Sequence, residues 1–135
     1  MTLDASALVA ILFAEPNYRD LVDRILETDH VRIGAPTLVE AGIVVAGRRR
    51  APAGTDVADL VEELGVTVAP FTEVEWRLAV DAFARFGRGR HPARLNFGDC
   101  LAYASAMHAG DTLLFVGGGF SKTDVAPAGS KSPDH

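Results

Sequence analysis

Apolar positions along this chain come in short bursts whose spacing switches between two and three-to-four, the signature of strands alternating with helices. A very short strand at Thr2 to Asp4 leads at once into a helix through Ser6 to Phe13. Pro16 opens a second helix to about Glu27, with Tyr18, Leu21, Val22, Ile25 and Leu26 on one stripe. Val31 to Gly34 reads as the next strand. Pro36 and Thr37 then signal a helix start, and Leu38 to Arg49 carries Val39, Ile43, Val44 and Ala46 before the Ala-Pro-Ala-Gly break at 51 to 54. Thr55 to Leu64 is helical, and Val66 to Ala69 is a third strand after Gly65. Thr72 caps a helix to Phe86 whose Val74, Leu78, Ala79, Ala82 and Phe83 share a face. Beyond an Arg- and Gly-rich loop, Asn96 starts a helix to about His108, and Leu113 to Val116 is the last strand. This order predicts an α/β fold, a central parallel sheet with helices on both faces. There is no internal repeat.

A chain of 135 residues that is 48% hydrophobic and 23% charged is sized for one domain with its own core. We place that domain over residues 1–126 and read residues 127–135, rich in Pro, Gly, Ser and Lys, as a loose tail. The greasiest run, Ala7 to Ala14, is closed by Glu15 and Pro16, too short for a membrane span. It is preceded by Asp4 and by no Lys or Arg, unlike a secretory leader. The expectation is a cytoplasmic protein without membrane contact. Cys100 is the single cysteine and reads as core filler.

The net charge of -5 argues against a generally electrostatic nucleic-acid binder, but the basic residues are clustered. Arg48, Arg49 and Arg50 are consecutive; they read equally well as an RNA footprint and as cations suited to a helix C-terminus. Arg85, Arg88, Arg90 and Arg94 lie with His91 in a stretch without acids, in a segment that Gly87, Gly89 and Pro92 make a flexible loop.

Three carboxylates draw attention. Asp4 ends the first strand, where open α/β sheets place ligand groups. Glu40 and Asp99 each lie about three residues into a helix, behind Thr37 and Asn96, which brings them to the same sheet edge. Plainer roles compete. Thr37-x-x-Glu40 fits a capping box, and an acid such as Asp99 is favoured in a first helical turn by the dipole. Asp4 is harder to excuse: flanked by core-bound residues and with no base nearby, it requires a partner. Clustered acids without His or Cys suit Mg²⁺ or Mn²⁺ and not zinc. A phosphoacceptor receiver would need an Asp ending a middle strand, and an aspartyl-phosphate phosphatase would need an Asp at position 6, where Ser6 stands.

Leu3-Asp4-Ala5-Ser6-Ala7-Leu8-Val9, Thr37-Leu38-Val39-Glu40, the run from Arg88 to Cys100 and Leu113-Leu114-Phe115-Val116-Gly117 together resemble the four blocks of VapC-type PIN-domain toxins. The resemblance implies an endoribonuclease of a toxin-antitoxin pair, dependent on Mg²⁺ or Mn²⁺, dimeric, and silenced by a VapB-like antitoxin. It makes Asp4, Glu40 and Asp99 the catalytic, metal-binding acids. Ser6 would support the site through its hydroxyl, and Asp124 is a candidate for support or for a structural role. Arg88, Arg90 and Arg94 would hold RNA phosphates. The pattern breaks at Gly117-Gly118-Gly119-Phe120, where the family carries acids. The alternative is therefore a catalytically impaired PIN domain that binds RNA or antitoxin.

Overall fold

The computed structural model describes residues 1–128. Strands β1 (Thr2–Leu3), β2 (Arg32–Gly34), β3 (Thr67–Ala69) and β4 (Leu113–Leu114) form one sheet in the order β3-β2-β1-β4. Every pairing is parallel, with Thr2 opposite both Arg32 and Leu113, and Ile33 opposite Val68. The helices are α1 (Ala5–Leu12), α2 (Tyr18–Glu27), α3 (Ala35–Arg49), α4 (Gly54–Leu64), α5 (Glu73–Phe86) and α6 (Phe97–Ala109). A 3₁₀ turn spans Phe120–Lys122. Among the described residues no helix is long and apolar enough to cross a membrane.

The sheet is covered on both faces, as the pattern predicts. Neighbouring residues of a strand point to opposite faces, and Leu114 joins the core built by α1 to α4 while Leu113 joins the one built by α5 and α6. Leu3, Leu8, Ile33 and Val45 are sealed in the first core, and Tyr103 and Leu95 in the second. Cys100 lies in the second core, where burial and the nearby Asp99 charge push its thiol up to about 11, so it is inert filler.

Four local expectations need correction. Helix α2 begins at Tyr18, because Asn17 adopts a left-handed φ of 68° that a helix cannot include. Helix α3 begins three residues before Leu38, at Ala35; Pro36 sits in its first turn, where a missing N–H costs nothing. The buried face of α3 is Ala41 and Val45, whereas Val39 and Ile43 are 60% and 66% exposed. Two residues of helix turn a side chain by about 200°, which puts 39 and 43 opposite 41 and 45. Fourth, the loop after α5 is a closed turn: Arg88 N–H donates to the Leu95 carbonyl, Leu95 N–H to that of Phe86, and the His91 ring meets Phe86 edge-on at 5.1 Å.

At the other end, Leu113 N–H donates to Ala126 and Ala128 N–H donates to Leu113, so residues 126–128 run along the otherwise open edge of β4. The rest of the expected tail, 129–135, lies outside the described residues.

Candidate active site

Because all four strands are parallel, their carboxyl ends share one edge. Asp4 stands just past β1 there as the N-cap of α1. Its Oδ2 accepts from the Ser6 N–H at 3.1 Å and from Ser6 Oγ at 2.6 Å. Ser6 Oγ in turn accepts from the Val116 N–H at 2.9 Å, which ties the end of β1 to the loop after β4. Asp4 is only 5% exposed, and its second oxygen, Oδ1, is buried without a hydrogen-bond partner. Burial raises the Asp4 pKa above the ordinary range and the Asp99 charge adds to it, outweighing the lowering by Ser6.

Glu40 reaches the same place from the second turn of α3. The capping box with Thr37 is absent: α3 is capped by Gly34, and Thr37 sits inside the helix with its Oγ1 buried and unpaired. The Glu40 carboxyl instead lies against Gly98 in the first turn of α6. A Cβ on Gly98 would stand 1.8 Å from Glu40 Oε2, so only glycine leaves room. Asp99 follows immediately. The capping box that the sequence suggested for Thr37 and Glu40 is found here instead: Asp99 Oδ2 accepts from Asn96 N–H at 3.0 Å, and Asn96 Oδ1 accepts from Asp99 N–H at 2.9 Å. That box uses one oxygen of Asp99 and leaves the other for the pocket. Helix α6 starts at this edge because it leads through Gly110 into β4 and so runs against the strands.

Asp4, Glu40 and Asp99 line one pocket of about 340 Å³ together with Ser6, Glu15, Arg48 and Val116. Burial, then the charges of Asp4 and Asp99, raise the Glu40 pKa. Asp99 is raised by burial against the lowering effects of its cap and of Arg88. Three acids that would each sooner be neutral, one with an orphaned buried oxygen, are a donor set that a hard divalent cation would satisfy. They line the pocket without closing on one point: among the described residues no three His, Cys, Asp or Glu side chains come together as a group that could hold an ion.

A family model, the PIN domain, matches residues 1–126. The chain belongs to the PIN-domain family. It is 41% identical to Ribonuclease VapC28 of Mycobacterium tuberculosis over 95% of this chain and 97% of that protein. It is 40% identical to Ribonuclease VapC36 of the same organism, covering 93% of this chain and 91% of that one. Among solved structures, M. tuberculosis VapC20, described as a sarcin-ricin loop cleaving toxin, superposes with a TM-score of 0.71 at 18% identity over 93% of this chain and 98% of its own. A toxin-antitoxin complex from Klebsiella pneumoniae superposes at 0.66 with 14% identity, over 91% of this chain and 92% of its own.

Not every residue singled out in the sequence joins the site of this PIN domain. Asp124 does not. Its Oδ1 accepts from Tyr103 Oη at 2.5 Å and its Oδ2 pairs with Arg85 at 3.1 Å, so both oxygens are spent on holding the segment after the 3₁₀ turn to α5 and α6. Burial pushes Asp124 up, but these two donors outweigh it and hold its pKa below the ordinary range. Arg88, Arg90 and Arg94 are exposed, and among the described residues none forms an ion pair; Arg88 is near enough to Asp99 to lower its pKa. Arg49 and Arg50 do finish α3, Arg49 paired with Asp56 and Arg50 as the left-handed C-cap. Glu15 and Gly98 were not singled out in the sequence, and Arg48 was read there only together with Arg49 and Arg50, equally as an RNA footprint and as a helix end. Arg48 was legible as the residue two helical turns beyond Glu40, and Gly98 as a glycine spent inside a helix.

Proposed function

We propose that this PIN domain is a divalent-metal-dependent endoribonuclease, the toxin of a VapBC-type pair, acting in the cytoplasm on RNA phosphodiesters. The observation that carries it is Asp4 Oδ1, a buried carboxylate oxygen without a partner, in the wall of a pocket shared with Glu40 and Asp99. The kinship with VapC ribonucleases supports the same reading. Asp4, Glu40 and Asp99 would hold Mg²⁺ or Mn²⁺, which when bound supplies positive charge beside a phosphate and acidifies water. The chain's own contribution is preorganisation. Ser6 fixes one oxygen of Asp4, the Asn96 cap fixes one oxygen of Asp99, and Gly98 seats the Glu40 carboxyl. Arg88, Arg90 and Arg94, exposed and among the described residues outside any ion pair, would hold flanking phosphates, and the charge of Arg88 acts on Asp99 in the site. The toxin-antitoxin complex among the structural neighbours supports a VapB-like antitoxin as partner.

A homodimer belongs to this reading. Val39, Ile43 and Phe97 are 60%, 66% and 79% exposed and line, with Phe71 and Leu101, an apolar groove of about 900 Å³ beside Glu40. A monomer rarely leaves such a face wet, and a two-fold axis through it would bury the same residues from both copies. Sedimentation of Ile43→Asp should give a monomer where the wild type gives a dimer.

Incubation of the purified protein with structured RNAs, with and without Mn²⁺, tests the activity. Cleavage should require the metal, stop with EDTA and be absent in Asp99→Asn, whose melting temperature should not fall in metal-free buffer because one of several repelling carboxylates is gone. An active Asp99→Asn, or metal-independent cutting, would overturn the reading; failure of the wild type to cut while still binding RNA would favour the binding module.

A further inference from the structure

Arg48 is the one cation among the residues lining the acid pocket, which otherwise presents Asp4, Glu15, Glu40 and Asp99. Glu40, Val44 and Arg48 succeed one another at four-residue steps along α3, and all three line that pocket. Two turns of helix separate the Cα atoms of Glu40 and Arg48 by about 12 Å. From there the Arg48 side chain reaches Glu15, another residue that lines the pocket.

Its guanidinium is held in place before any ligand arrives. Nη1 pairs with Glu15 Oε1 at 3.1 Å, and Cζ lies 5.0 Å from the centroid of the Phe13 ring. A guanidinium carries five N–H donors, and the Glu15 pair uses one. The side chain is 54% exposed, so the other donors are open to solvent. Arg49, one residue on, shares the Phe13 ring, its Cζ 5.4 Å from the centroid, but pairs with Asp56 and does not line the acid pocket.

We propose that Arg48 is a phosphate-binding residue that seats the RNA strand at the rim of the acid pocket, on a phosphate neighbouring the one over Asp4, Glu40 and Asp99. The inference rests on the ribonuclease reading of the pocket. A polyanion entering a pocket lined by four acids needs cations placed along its track, and Arg48, tied to Glu15 on the pocket wall and absent from the charges that act on Asp4, Glu40 and Asp99, is placed for an adjacent phosphate and not for the reacting one. Planar, stacked and unable to lose its proton, an arginine holds a phosphate in a fixed fork that a lysine does not reproduce. The Glu15 pair keeps that fork from folding onto the catalytic acids when RNA is absent.

A contact to a neighbouring phosphate is made equally in the ground and transition states, so its loss should raise KM and leave kcat nearly unchanged. Wild type, Arg48→Ala, Arg48→Lys and Arg49→Ala are compared for Mn²⁺-dependent cleavage. Their affinity for a labelled single-stranded RNA is read by fluorescence anisotropy in an Asp99→Asn background, where turnover plays no part. Arg48→Ala should raise KM and Kd about ten-fold and flatten the slope of log affinity against log salt by about 0.7, one phosphate contact on a single strand. Arg48→Lys should keep the salt slope, lose part of the affinity and guard against a packing loss over Phe13. Arg49→Ala, which removes the same charge one residue away, should change both by less than about two-fold, as for an exposed pair. Equal effects of Arg48→Ala and Arg49→Ala, or a loss confined to kcat, would overturn the inference while leaving the ribonuclease intact. RNA binding that depends on Arg48 in a protein that cuts nothing would uphold it and sink the ribonuclease reading instead; no RNA binding at all would sink both.

Discussion

Gly98→Ala should silence this enzyme without unfolding it. A Cβ at position 98 would stand 1.8 Å from Glu40 Oε2, 2.4 Å from Cδ and 2.6 Å from Oε1, whereas ordinary contact begins near 3.4 Å. The carboxyl must therefore retreat by roughly 1.6 Å, well beyond what thermal adjustment of a packed side chain absorbs. For folding, the change is mild. The clashing atoms are the far end of a flexible side chain, so the overpacking cost falls at the low end of about 1–3 kcal/mol. Alanine in place of glycine within a helix returns about 0.5–1 kcal/mol. The two nearly cancel, and the melting temperature should move by only a few degrees. For catalysis, a misplacement of about 1 Å costs on the order of 10²-fold in rate. RNA cleavage in Mn²⁺ should fall by about that factor, and calorimetric titration should show weaker Mn²⁺ binding. Gly118→Ala is the control, since nothing lies within 4 Å of a Cβ there. Wild-type cleavage and wild-type Mn²⁺ affinity in Gly98→Ala would show that Glu40 does not act from its seat on Gly98.

The remaining expectations follow from the same geometry. Asp4, Glu40 and Asp99 all have folded-state pKa values raised above the ordinary 3.8 or 4.5, so the stability they lend is complete below those values and is lost as pH rises through the raised ones. In EDTA the melting temperature should drop as pH rises above the ordinary carboxylate range and be restored by Mn²⁺, and Asp4→Asn should flatten the profile; a flat wild-type profile refutes the shared burial of charge. Gly118→Asp should tighten Mn²⁺ binding, whereas Gly119→Asp should not, because its Cβ would meet the Ala93 carbonyl at 2.9 Å and distort the loop. Equal Mn²⁺ affinity in folded Gly118→Asp and wild type would place that loop outside the metal site. Thr37→Val removes a buried hydroxyl that has no partner and should stabilise the fold by about 1 kcal/mol, read by denaturant unfolding; a loss of stability would mean the hydroxyl is satisfied in solution.

Much of this was legible in the chain itself, because the signals are local. The alternation of periods set the β and α order, and Asn96, Thr72 and Gly65 marked helix ends through hydrogen bonds and φ values that reach no further than a few residues. Asp4 stood out since an acid between core-bound residues costs free energy wherever the rest of the chain goes. What depended on the tertiary structure was every choice between two locally acceptable roles. Thr37-x-x-Glu40 satisfies a capping pattern, and only the earlier start of α3 at Ala35 freed Glu40 for the pocket. Asp99 keeps its cap and still reaches the site, because a carboxylate has two oxygens and the box takes one. Asp124 lies near the right block in sequence but is claimed by Tyr103 and Arg85, and Val39 and Ile43 fit an apolar stripe that packing hands to Ala41 and Val45 instead. Arg48, Glu15 and the fit of Glu40 against Gly98 involve partners from 33 to 58 residues apart, contacts whose energy depends on where separate elements dock and which no local pattern encodes.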